Sequence, residues 1–126
     1  MTKPFTLTLG MVPDLALGGN SRLHWAKRHQ IFQAEKREWF YEIKAAHSGR
    51  LPKYKHLKLS VELVFKVKRT RDQDGLMIAM KALFDTLVDL GIITDDDVEH
   101  LTTTLTVIMD PKRAPRTILS CEEANP

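Results

Sequence analysis

The stretch "LKLSVELVFKVK", Leu57 to Lys68, decides the fold class. Its apolar residues Leu57, Leu59, Val61, Leu63, Phe65 and Val67 alternate with Lys58, Ser60, Glu62, Val64, Lys66 and Lys68. Successive side chains of a β-strand point to opposite faces, so this pattern predicts a long strand buried on one face and mostly polar on the other. Such a strand needs cover on one side only.

Two flanking stretches can supply it. From about Leu23 to His47, the residues Trp25, Phe32, Trp39, Ile43 and Ala46 recur at helical spacings, and "SGRLP" ends the run. That is the pattern of a long amphipathic helix. Downstream, about Leu76 to Leu90 reads as a second helix with Leu76, Met80, Leu83, Leu87 and Leu90 on its core face and Gly91 as its C-terminal cap.

Further out, Phe5, Leu7 and Leu9 alternate with Thr6 and Thr8, and a loop follows, marked by Pro13, Gly18, Gly19 and Asn20. Leu101, Leu105 and Val107 lie among threonines, "DPKRAP" makes a turn, and Arg116 to Cys121 reads as a last strand. The order is strand, helix, strand, helix, strand, strand. It predicts a single α+β domain over residues 1–126, with a mixed, mainly antiparallel sheet of about four strands backed by two main helices.

Composition agrees with one ordinary globular core: 126 residues, 43% hydrophobic and 28% charged, exclude a disordered chain. No apolar run approaches the ~20 residues needed to cross a bilayer, so no membrane partner is expected. The N-terminus lacks the apolar centre of a signal peptide, and the single cysteine, Cys121, offers neither a disulfide nor a thiolate zinc cage. A cytoplasmic protein is expected. The net charge of +3 is compatible with nucleic acid without pointing to it.

The second helix is flanked by acid on both sides. Asp72 and Asp74 precede it, two residues apart, so in extended backbone their carboxylates share one side. One of them can cap the helix, and a cap needs only one. They follow the bases Lys66, Lys68, Arg69 and Arg71, which can neutralise them or hold a phosphate chain beside them. Asp95, Asp96 and Asp97 lie past the other end, where the helix dipole favours cations. Five carboxylates so arranged suit a hard divalent ion, which takes oxygen ligands. A 15-residue helix is ~22 Å long, however, so the two clusters meet only if the second one folds back or reaches another subunit.

Lys81 lies seven residues after Asp74, nearly two turns, hence on the same face of a continuous helix, and Asp85 follows it by four. By geometry alone Lys81 and Asp85 form a surface ion pair. The histidines His24, His29, His47, His56 and His100 have no metal-ligand spacing, and there is no glycine-rich phosphate loop.

Taken together, D-x-D, a helix bearing Lys81, "FDTLVDLGII" and the aspartate pair resemble the RusA family of Holliday junction resolvases, small endodeoxyribonucleases often carried by phages and prophages. The upstream "GGNSRLHWAKRHQ" is similar to that family's N-terminal loop. The resemblance runs from Phe5 to about Ser120 and is strongest between Arg71 and Val98. It implies that Asp72, Asp74 and Asp96 hold Mg²⁺ (Mn²⁺ substituting), with Asp95 a possible fourth ligand, and that Lys81 is the catalytic lysine. It implies DNA contacts from Asn20, Arg22, Lys27, Arg28, Lys66, Lys68, Arg69 and Arg71. It further implies cleavage of branched DNA, the Holliday junction, by paired symmetric nicks made by a homodimer in the nucleoid. The chain departs from the family pattern twice. Gly75 stands where an Asn usually follows the second Asp, and the spacing from Asp74 to Lys81 exceeds that of the best-known member by roughly one turn of ~3.6 residues.

Two other readings compete. A DNA-binding relative without chemistry is favoured by Gly75, and a DxD metal–nucleotide enzyme is disfavoured by the absence of a nucleotide-binding βαβ unit.

Overall fold

The computed structural model describes residues 4–17, 24–66 and 73–124. The elements are β1 (Phe5–Leu9), a short 3-10 helix (Leu15–Leu17), α1 (Trp25–Ala46), β2 (Leu57–Phe65), α2 (Gln73–Ala79), α3 (Lys81–Asp89), β3 (Leu101–Met109) and β4 (Arg116–Glu123). The four strands form one sheet in the order β1-β4-β2-β3. β4 runs antiparallel to both neighbours, with Leu119 opposite Leu7 on one side and Val61 on the other. β2 and β3 are parallel, with Leu59 beside Thr103. A parallel pair needs a crossover, and α2 with α3 provides it. The domain is therefore α+β with a mixed, mainly antiparallel sheet, as the order of elements predicts.

One face of the sheet carries the core. Leu7, Leu9, Leu57, Leu59, Val61, Leu63 and Leu119 are buried there, while Thr6, Thr8, Lys58, Thr102, Thr104 and Thr106 are exposed on the other face. Trp39 and Ile43 of α1 join that core, as do Leu76 of α2, Met80 between the helices, and Leu83 and Leu87 of α3.

The expected second helix is interrupted. At Met80 the backbone turns to φ −81° and ψ 0°, and its N–H is shared between the carbonyls of Leu76 (3.1 Å) and Met77 (3.2 Å). A one-residue tightening of this kind hardly moves the side chains. The apolar stripe Leu76, Met80, Leu83, Leu87 stays continuous, so periodicity reads two helices as one. The end of α3 is as expected: Gly91 has φ +76°, its N–H bonds to the Val88 carbonyl (2.9 Å), and the Ile92 N–H bonds to the Leu87 carbonyl (3.0 Å). These are the two bonds of a Schellman cap, and the left-handed residue in it favours glycine.

The first helix also departs from expectation at its ends. Trp25 is 75% exposed and Ala46 is exposed, so neither belongs to the core stripe. A buried acid, Glu35, takes a place in that stripe instead. Its hydrogen-bond donor, the Asp14 N–H, lies in the segment after β1.

A lysine–aspartate cluster at the start of the third helix

Lys81 is the first residue of α3. A cation is poorly placed at a helix N-terminus, where the dipole favours anions. Two carboxylates offset that. Asp85, one turn on, lies 3.1 Å from the Lys81 ammonium, and Asp96 makes a short hydrogen bond to it. The Asp96 carboxylate, helped by Asp85, holds the Lys81 ammonium above the ordinary lysine range, against the lesser opposing effect of burial. The Asp96 side chain is the more enclosed of the two acids, at 17% exposure.

The fold-back that brings Asp96 to Lys81 begins at the cap. Ile92 and Ile93 are both buried, and the Ile92 carbonyl accepts the Tyr54 N–H at 2.8 Å. The turn is thereby tied to the core immediately after α3, and the chain must run back past the helix it has just left. The three aspartates then divide their work. The Asp95 carboxylate accepts the Asp96 N–H (2.7 Å). Asp97 accepts the Glu99 N–H (3.0 Å) and bonds the His100 ring (2.6 Å), which holds its carboxyl below the usual range and raises His100. Only the central aspartate turns to the lysine. So Asp96, placed in sequence at the unfavourable end of α3, reaches a cation rooted at its favourable end.

Of the residues implied by resemblance, Lys81 and Asp96 are brought together. Asp74 lies in α2, but its side chain is outside the described residues, as are Asn20, Arg22, Lys68, Arg69, Arg71 and Asp72 altogether. The expected shared face of Asp74 and Lys81 therefore lies outside the described residues. Lys27 and Lys66 are exposed, as a DNA contact requires. Arg28 is not available in the same way: it is half-buried, and its Nη2 donates to the Leu17 carbonyl.

Asp85 and Asp96 offer the hard oxygens that Mg²⁺ prefers, and one or two carboxylates with water and phosphate are a usual set for it. The donor chemistry therefore fits, provided Lys81 gives up a contact. Among the described residues, no group of three or more His, Cys, Asp or Glu side chains converges as a metal site. Two features escaped the sequence reading: the contact between Asp96 and Lys81, and the burial of Glu35. The apolar pair Ile92–Ile93, next to the cap glycine, is the signal that could have exposed the first. No helix among the described residues is long and apolar enough to cross a membrane. No protein-family model matches the sequence, and no curated protein matches it.

Proposed function

We propose that this protein is a Mg²⁺-dependent endodeoxyribonuclease that cuts branched DNA, four-way junctions above all, working as a homodimer in the nucleoid. The reading is supported chiefly by the meeting of Lys81 and Asp96, two residues far apart in sequence that the likeness to RusA resolvases assigns to one site. Asp72, Asp74 and Asp96 would hold the ion, with Asp95 adjacent. Bound there, it would lower the pKa of its water and neutralise phosphate oxygens.

The chain's own groups do the rest. Lys81 stays protonated well above neutral pH, so it can meet a phosphate oxygen as a full cation and stabilise charge that develops there. It must first leave one carboxylate, and Asp85, four residues along the same helix, keeps it near the site while it does so. Lys27, Lys66 and the bases that precede Asp72 would hold DNA backbones in position without reading sequence. Two symmetric cuts in one junction call for two sites related by a two-fold axis.

A second reading has its own support. Lys81 already pairs with both Asp85 and Asp96, which is all that a structural clasp requires, and a DNA-binding protein without chemistry would need no more. A labelled four-way junction, with and without Mg²⁺, separates the two. Paired nicks that depend on the ion, and that are lost in Lys81→Ala while junction affinity and melting temperature hold, support the nuclease. A gel shift with no nicks supports the clasp.

A further inference from the structure

Residues 10–17 are fastened along α1 by side chains at regular spacing. Glu42 accepts the Gly10 N–H, Glu35 accepts the Asp14 N–H, and Arg28 Nη2 donates to the Leu17 carbonyl. Positions 28, 35 and 42 are seven apart, close to two helical turns, so they form one stripe on α1. The strap runs antiparallel to that stripe and meets it at 17, 14 and 10. From the sheet side, the Thr117 hydroxyl of β4 donates to the Met11 carbonyl at 2.6 Å. Contact is close enough that a Cβ at Gly10 would sit 3.0 Å from the Glu42 carboxylate.

One fastening differs from the others. Glu35 is 5% exposed, and its second oxygen, Oε2, is buried with no hydrogen-bond partner among the described residues. The charged groups that act on it are Asp14 of the strap and Glu38 of α1, both acids, while Arg28 and Glu42 flank it on the stripe. A carboxylate so placed gains one N–H and loses its water.

We propose that Glu35 is a proton-operated latch, which holds residues 10–17 against α1 when neutral and loosens them when it ionises. Burial, opposed only in part by the Asp14 N–H, pushes its carboxyl up to about 7. An open strap would return Glu35 to water and to an ordinary value near 4.5. The open form therefore binds the proton less tightly than the closed one. Opening grows as pH rises from 4.5 towards 7, by up to about tenfold per pH unit, and levels off above that. The 3-10 helix Leu15–Leu17 packs against α2, so loosening the strap removes one wall from the helix that carries Asp74.

Carboxyl-carbon NMR of the wild-type protein tests the first half: the Glu35 resonance should titrate near neutrality, and a midpoint in the ordinary carboxylate range would overturn the proposal. Amide hydrogen exchange tests the second. After correction for intrinsic exchange, protection at the Asp14 N–H should fall by up to about tenfold per unit between pH 5 and 7. In Glu35→Gln it should be flat, and in Glu42→Gln the slope should persist. Equal slopes in wild type and Glu35→Gln, or a loss of protection spread evenly over β2 and α1, would refute a local latch. Should Glu35→Gln fail to fold, the wild-type titration and the Glu42→Gln profile decide the matter.

Discussion

Asp96 and Glu35 are both carboxylates held by a single short contact, yet they sit in opposite electrostatic situations. Asp96 meets a full ammonium, and it holds Lys81 above the ordinary lysine range. Glu35 meets a peptide N–H, with two further acids nearby, and burial decides its state. A dipole replaces much less lost hydration than a counter-charge does, so an acid paired only with a dipole is pushed towards its neutral form. The same functional group thus meets a full counter-charge at Asp96 and only a peptide dipole at Glu35.

The largest effect that could break this contrast is on activity. Asp96→Asn should cut junction nicking by at least ~100-fold, because a neutral amide is a poor ligand for a hard cation. Lys81 keeps Asp85, so the melting temperature should stay close to wild type. Nicking at the wild-type level in a folded Asp96→Asn protein would reduce the cluster to a structural clasp. Next is the pH dependence of stability. Glu35 binds its proton more tightly folded than unfolded, so stability should fall as pH rises from 4.5 to about 7, then stay level. After allowance for solvent screening the drop is about 1–2 kcal/mol, visible in urea titrations and absent in Glu35→Gln.

A smaller effect concerns the cap. Gly91→Ala places a Cβ at φ +76°, which should cost about 1 kcal/mol and loosen the turn that delivers Asp96. A matching shift of the Lys81 ammonium resonance in NMR would tie the cap to the cluster. The smallest is Asp85→Asn, which removes one exposed helix pair and should cost no more than about 0.5 kcal/mol in thermal melts. A loss several times larger would mean that Asp85, not Asp96, holds the lysine.

The sheet was legible because alternation has a period of two, and β2 carries it from Leu57 to Leu63, until the buried Val64 breaks it. The Gly91 cap was legible because few residues accept a positive φ. The Lys81–Asp85 pair could be read from a spacing of four on one helix. What could not be read arises through space. The Ile92–Ile93 pair hints at an anchor after the cap, but the distance from Lys81 to Asp96 depends on where in the core that pair lands, which the pair itself does not give. Glu35 hid because an acid in an amphipathic helix is read as solvent-facing. Trp25 misled the opposite way, since a large apolar residue at the right spacing near a helix end need not be covered. The resemblance implies a DNA contact from Arg28, and charge gives no hint that its guanidinium also reaches the Leu17 carbonyl.

The strand order has a consequence for how the chain comes to be folded. β4 lies between β1 and β2, so β1, the earliest of the four strands, has its strand partner in the latest: Phe5 pairs with Cys121. During synthesis the helices and the β2–β3 pair can form early, while β1 waits with its apolar face uncovered. Closing so long a loop is slow compared with local pairing. A nascent chain stalled before Arg116 would carry an unpaired strand and one open edge of β2, which is the kind of species that chaperones hold and proteases remove.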